Sequence, residues 1–279
     1  MKFVNQSYEI LKQEIPVIKL DDYSHSHFIE QYMLNMFNHI EYCGRTCYRS
    51  TDKITEDSSK KFIKSLIKSK HLSVLEHGAI YLQVPCDEVE NNPVFSDIGC
   101  NSYVKVDYND GIYYYSTNYR VIVENNWEEF LEYLCPPCRF HELKYTVLLH
   151  TCIHVYKDLT RHRKMSFSIE STRYCNYSKD KFGKEIKFIK PNWIKDDNDT
   201  FTEFCNNAEH AYLTLLDEGW QPQQAAEVLP QCTAADVVMS GFKSDWEFVF
   251  RLRSNTAETG KPHPLVEELM TPLKHELYM

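Results

Sequence analysis

The sequence predicts an α+β protein built around a central sheet, and three observations lead there. Stretches with helical apolar spacing are interleaved with β-rich runs, without the strict alternation of a doubly wound fold. Only 8 glycines are present, with neither a Gly-x-Gly-x-x-Gly nor a Walker-type loop. Phosphate groups would therefore have to be held mainly by side chains. Hydrophobic residues fill 43% of 279 positions, enough for a sizeable core.

The elements follow in order. Residues 26–42 place Phe28, Tyr32, Met33, Met36, Phe37 and Ile40 at helical spacing. A second helix is predicted over 56–69, with Glu56, Asp57 and Ser58 at its start and Lys64, Lys68 and Lys70 towards its end, as the helix dipole favours. Residues 72–84 read as a loop and then a strand, because Ala79-Ile80-Tyr81-Leu82-Gln83-Val84 is β-rich. Residues 111–123 are strand-like throughout. Asn126 is expected to start a helix that runs to Leu134 and is stopped by Pro136-Pro137. Over 144–156 the apolar period does not separate strand from helix. The polar, Lys- and Asp-rich stretch 176–200 predicts a surface excursion. Helices are predicted over 203–218 and 222–228, a strand over Ala234–Met239, a helix from Asp245 to Leu252 and a last helix over 264–276. With no internal repeat, low-complexity tract or linker, residues 1–279 are expected to form a single domain.

The charge balance narrows the partners. Thirty-one Lys and Arg against 40 Asp and Glu leave a net charge of −9, which does not gather nucleic acid by long-range attraction. No apolar run approaches the ~18 residues needed to span a bilayer, so no membrane partner is expected. The N-terminal residues lack the apolar core of a signal peptide, and the ten cysteines are expected as free thiols in a reducing cytoplasm. Cys135 and Cys138, with His141 nearby, form half a zinc site or a redox pair at most, and no second close pair completes it. No metal is expected.

Against that acidic background stands one basic island, Arg161-His162-Arg163-Lys164-Met165-Ser166-Phe167-Ser168-Ile169-Glu170-Ser171-Thr172-Arg173-Tyr174. It is too short for a polymer groove and suits small anions. Arg163 and Arg173 carry planar forks that match phosphate oxygens bidentately, and the hydroxyls of Ser166, Ser168, Ser171 and Thr172 add neutral hydrogen bonds.

The spacing Arg161-His162-Arg163, seven residues, then Ser171 resembles the signature of the flavin-dependent thymidylate synthases, and Thr172-Arg173-Tyr174 continues it. Four such positions arise by chance in a chain this long on the order of once in a thousand. Further segments follow in that family's order. Ser73-Val74-Leu75-Glu76-His77 resembles its Ser-x-x-Glu-His, and Thr117-Asn118-Tyr119-Arg120 is a weaker echo. Pro222 to Pro230 resembles a helix ending in Val-Leu-Pro. Gly241 to Arg253 resembles the segment closing in Leu-Arg, and His263 to Met270 the last helix.

The resemblance implies a mixed or antiparallel central sheet flanked by helices. It implies methylation of dUMP to dTMP, with methylenetetrahydrofolate as carbon donor and NADPH reducing FAD. It places Arg161, His162, Arg163, His77 and Lys243 about the FAD, and Glu170, Ser171, Thr172, Arg173 and Arg253 about the nucleotide. Arg253 and His77 would be the catalytic pair, Arg253 set against the uracil ring; on its own residues His77 reads as a strand-entrance histidine bonded to backbone. Ser171 is expected to hold phosphate, because a hydroxyl nucleophile needs an adjacent base and its neighbours are mostly cations. The family's homotetramer, with sites shared between subunits, is implied as well. Departures leave other readings open. Ala226 stands where an Arg is usual, Asp158 where a Gln is frequent, Ser168-Ile169 in place of Asn-Glu, and Phe242 and Ser244 where Asn and Arg often contact flavin. Lys243, Arg251 or Arg120 would then compensate for the missing cation. The alternatives are an enzyme that methylates or hydroxymethylates UMP or dCMP, or a flavin- and nucleotide-binding protein without turnover.

Overall fold

A four-stranded antiparallel sheet carries the basic island. In the computed structural model, which describes residues 1–16, 25–179, 183–195, 198–258 and 260–278, its order is β2 (Ser7–Leu11), β6 (Lys144–Cys152), β9 (Ala234–Phe242) and β7 (Ser166–Ile169). A three-stranded antiparallel sheet runs β3 (Ala79–Pro85), β5 (Ile112–Asn118), β4 (Lys105–Asn109), and β1 (Lys2–Val4) pairs in parallel with β8 (Lys187–Ile189). The α+β class holds, with the expected central sheet divided into three.

Helix α1 (His25–Thr46) buries Phe28, Tyr32, Met36, Ile40 and Cys43 along one face, at the spacing of a helix packed on a sheet. With β3, β5 and α2 (Ser58–Lys68) it forms one apolar cluster. A second cluster joins β6 and β9 to α6 (Ile153–Leu159), α9 (Lys243–Arg253) and α10 (Pro264–Leu277). A third joins β8 to α7 (Asp199–Asp217) and α8 (Pro222–Ala225). At Gly241 a Cβ would run into the Met165 thioether, so glycine lets the start of the basic island lie against β9.

Two sequence expectations change here, and one left open is settled. The strand expected through 123 ends at Asn118, whose side chain accepts the Val121 amide at 3.2 Å and caps a helix, α5 (Tyr119–Asn125). The β-branched run Val121-Ile122-Val123 disguised it. Asn126 ends α5 in the left-handed region (φ 57°, ψ 47°), and the helix expected to begin there is a 3-10 turn over Glu128–Tyr133. Residues 144–156 are both candidates in succession, β6 and then α6.

The stretch 176–200 is only partly a surface excursion. Tyr177, Ile186, Phe188 and Ile189 are buried, and β8 seals against β1; residues 180–182 and 196–197 lie outside the described part. Its many lysines and aspartates concealed a short buried alternation. Two short helices, α3 (Cys86–Asn91) and α4 (Val94–Cys100), complete the chain.

Candidate active site

The sheet register sets a polar stripe inside the molecule. Thr146 on β6 pairs with Ser240 on β9, and Ser240 pairs with Ser166 on β7, with Ser168 two residues further along the same face. The 3-10 turn Leu72–His77 brings His77 onto that stripe. Its Nδ1 lies 2.6 Å from the Ser240 hydroxyl and its Nε2 2.9 Å from the Ser168 hydroxyl. Thr146 reaches Ser240 at 2.8 Å, and His39 reaches Thr146 at 3.3 Å. Burial pushes His77 well below the ordinary histidine range, so its ring is neutral near pH 7. His77 is thus bound by two side-chain hydroxyls rather than by backbone. It also lines a cavity of about 790 Å³ together with His39, Tyr81, Lys144 and Thr146. Burial lowers the Lys144 ammonium to about 8.

The Arg161–Arg163 end of the island folds as a tight turn leaving α6, with the His162 amide donating to the Leu159 carbonyl at 3.0 Å and the Met165 amide to the His162 carbonyl at 3.0 Å. This turns the His162 ring inward, edge-on to Phe248, while Arg161 and Arg163 point outward. The last turn of α9 brings Arg253 to the same place. Arg253 Nε donates to His162 Nε2 at 3.2 Å, Nη1 to the Asp158 carboxylate at 3.2 Å, and Nη2 to the Asp158 carbonyl at 3.3 Å. Burial, reinforced by the Arg253 cation, pushes His162 down to about 4. A neutral ring that accepts at Nε2 carries its proton on Nδ1, and that buried nitrogen has no hydrogen-bond partner among the described residues. Three of the five guanidinium N–H groups of Arg253 are used, leaving two for a guest. Neither Arg161 nor Arg163 forms an ion pair among the described residues.

The Ser171–Arg173 end differs. The Ser171 amide donates to the Cys47 carbonyl at 2.9 Å, and the Ser171 carbonyl accepts the Cys175 amide at 2.9 Å, closing a turn. Arg173 is exposed and lies over the Tyr174 ring at 5.3 Å; Tyr174 in turn meets Tyr48 at 5.4 Å. Glu170, expected at the nucleotide, has its carboxylate fully enclosed. It accepts from Arg49 at 2.9 Å, from the Tyr177 hydroxyl at 3.0 Å and from the Asp236 amide at 3.1 Å. Arg49 also faces Asp236 at 3.4 Å, and His150 donates to Asp236 at 2.7 Å, which raises the His150 pKa.

The structure brings together Asp158, His162 and Arg253, and separately His77 and Ser168. Arg173 follows β7 and the His162 turn that meets Arg253 precedes it, so ~13 Å of strand lies between those two parts of the chain. Lys243 stands at the opposite end of α9 from Arg253, ~15 Å away along the axis, with its ammonium 4.0 Å from Glu247. The other cations considered as compensation for Ala226 are also engaged, Arg120 with Glu76 at 2.6 Å and Arg251 with Glu258 at 3.5 Å. The acid that Arg253 meets is Asp158 rather than Glu247 or Glu258, which pair with Lys243 and Arg251; Asp158 was already conspicuous in the sequence as an anion near an expected phosphate site. Arg49, Asp236 and Ser240 carried no such signal, because they meet the island only through sheet register and the end of α1.

One family model matches more than half of the chain. The Thy1 family, described as thymidylate synthase complementing protein, matches residues 29–89 and 138–267. A probable flavin-dependent thymidylate synthase of Mycobacterium phage L5 is 26% identical over 147 residues, 48% of this chain and 60% of that protein. The chain therefore spans about 60% of the length of the curated relative it matches. Among solved structures, a UMP/dUMP methylase, PolB, from Streptomyces cacaoi bound with 5-Br UMP aligns over 99% of this chain and 91% of its own, at 14% identity and a TM-score of 0.46. The same methylase bound with 5-Br dUMP aligns over 100% and 96%, at 15% identity and a TM-score of 0.44. No helix of the described residues is long and apolar enough to cross a membrane.

Proposed function

We propose a function for a chain that belongs to the Thy1 family, the flavin-dependent thymidylate synthases: it methylates C5 of dUMP to give dTMP, in the cytoplasm, with methylenetetrahydrofolate as carbon donor and NADPH as reductant. The observation that carries this reading is the meeting of Arg253 with His162 and Asp158, three residues from separate segments that converge on one guanidinium.

The residues present fit a bound FAD. Among the described residues the buried Nδ1–H of His162 has no acceptor, and Arg161 and Arg163 offer two forks without an ion pair for a diphosphate beside it. His77 and Lys243 are proposed at the edge of the same cofactor. When bound, the flavin supplies the hydride that completes the methyl group.

The protein's own part is electrostatic. C5 of the uracil attacks as a nucleophile, and the two free N–H groups of Arg253 stabilise the electron-rich, anionic form of the ring from which it attacks. Neutral His162 leaves Arg253 as the cation of the pair, while Asp158 fixes the plane of the fork. The arginine keeps its charge in a desolvated site, which a lysine would not. Ser171, Thr172 and Arg173 are proposed to bind the nucleotide phosphate, with Glu170 acting from behind through Arg49. Because Arg173 and Arg253 lie at opposite ends of β7, the nucleotide is proposed to bridge two copies of the chain, in a homotetramer of single-domain subunits.

The test is turnover by purified protein given FAD, NADPH, methylenetetrahydrofolate and, in turn, dUMP, UMP and dCMP. The expected result is a gain of one methyl group on dUMP. A methylated or hydroxymethylated UMP or dCMP instead would move the substrate. Yellow protein with no nucleotide-dependent NADPH oxidation would remove the enzymatic reading.

A further inference from the structure

Two thiols outside the arginine cluster face each other. Cys205 on α7 and Cys232 in the turn before β9 hold their sulfurs 4.0 Å apart. Neither is in a disulfide. Cys205 is fully enclosed among Cys175, Tyr177 and Tyr212, whereas Cys232 is only half-buried, so an oxidant arriving from solvent meets Cys232 first. The turn at Cys232 is firmly placed, because its carbonyl accepts the Ile189 amide at 2.8 Å and the following Thr233 amide donates to the Pro230 carbonyl at 3.0 Å. The contact contrasts with Cys135 and Cys138, each of which touches His141, at 3.8 and 3.4 Å, rather than the other sulfur.

We propose that Cys205 and Cys232 are a reversible disulfide-forming pair that staples α7 to the turn leading into β9. The sulfurs must close by roughly 2 Å to reach bonding distance, a shift within reach of side-chain rotation. Hydrogen peroxide serves as oxidant. One peroxide oxygen transfers to the Cys232 sulfur, giving a sulfenic acid and one water. The Cys205 sulfur then attacks the Cys232 sulfur, the S–S bond forms, the S–O bond breaks, and the hydroxide leaves with the remaining thiol proton as a second water. The two thiols lose two electrons and the peroxide gains them. The contact between the sulfurs lowers the Cys205 pKa and raises that of Cys232, so access rather than acidity puts Cys232 first, and Cys205, the readier thiolate, makes the second attack.

The staple closes a loop running from 205 to 232, whose constraint acts on the unfolded chain. Folded protein is treated with hydrogen peroxide, quenched, alkylated after unfolding and digested without reductant. The expected product is a linked pair of peptides holding Cys205 and Cys232, two hydrogens lighter than their sum. A melting midpoint higher by roughly 5 °C or more, returned to its starting value by dithiothreitol, accompanies it. Cys232→Ser abolishes both signals. Recovery of Cys205 and Cys232 as alkylated thiols from oxidised, still folded protein would overturn the proposal, as would linkage of either to another cysteine. The main readout uses the unaltered chain, so a poorly folding variant leaves the test intact.

Discussion

The two ends of β7 handle charge in opposite ways. At the Glu170 end, two carboxylates and the Arg49 guanidinium lie within hydrogen-bond reach, a tyrosine and a backbone amide complete the set, and the carboxylate is fully enclosed. At the Arg163 end one carboxylate, Asp158, pairs with Arg253 alone, Arg161 and Arg163 are open to solvent, and a neutral histidine keeps a buried donor without a partner among the described residues. A closed, balanced cluster holds a fold together. An open cluster with surplus positive charge and an unmet donor is built for a guest. The difference shows why the basic island cannot be read as one uniform anion site, although its sequence is continuous.

The largest effect is expected at the open end. Arg253→Ala removes the cation that stabilises the electron-rich ring, and turnover should fall by about 10²–10³-fold. The flavin absorbance of the protein should persist, because Arg161, His162 and Arg163 are intact. Steady-state kinetics beside a visible spectrum checks both. Unchanged turnover would take Arg253 out of the chemistry.

At the closed end the cost is expected in stability instead. Glu170→Ala leaves Arg49 facing one acid rather than two, and unfolding free energy should drop by about 2–4 kcal/mol, at the lower end because Arg49 is 32% exposed. Urea titration measures it. A stable variant with lost nucleotide binding would make Glu170 a direct ligand and erase the contrast.

Acid should weaken the open end and the polar stripe. His162 and His39 each titrate at about 4 in the folded state, below the ordinary 6.5, and His77 is also lowered. The unfolded chain then binds more protons between about pH 6.5 and 4, so stability falls as pH drops through that window. His162 and His39 each contribute up to about 3 kcal/mol across it. His150 opposes them, since its pKa is raised and its contribution is present at low pH and lost as pH rises through the folded value. Melting midpoints from pH 7 to 4 read the sum, and His162→Asn should flatten the slope.

The smallest effect belongs to Asp158→Asn. It keeps an oxygen for Arg253 but removes the charge of a partly exposed pair, so turnover should change only several-fold, about 1 kcal/mol. A loss as large as that of Arg253→Ala would promote Asp158 from positioning residue to reacting group.

Much of this arrangement was legible in the sequence, and for physical reasons. The long helices α1, α7 and α10 show their buried faces in their spacing, and the island announces itself because fixed cations are costly to cluster in an acidic chain. Asp158 was visible as a misplaced anion, though not its partner. What stayed hidden depends on register and on distant segments. Ser168 and Ser240 become partners of His77 only when β7 and β9 pair, and Arg49 reaches Glu170 from 121 residues away. The helix α5 was hidden by β-branched residues whose helical fate is decided by the Asn118 cap.

The most direct test of the account concerns the separation of Arg173 from Arg253. Arg253→Ala and Arg173→Ala are each expected to be inactive alone. Unfolded together and refolded, they should regain activity, up to about a quarter of the unaltered level for random mixing in a symmetric assembly. Mixed protein as inactive as its parents, though folded and assembled, would mean that both arginines serve one site within one chain, contrary to the shared site proposed here.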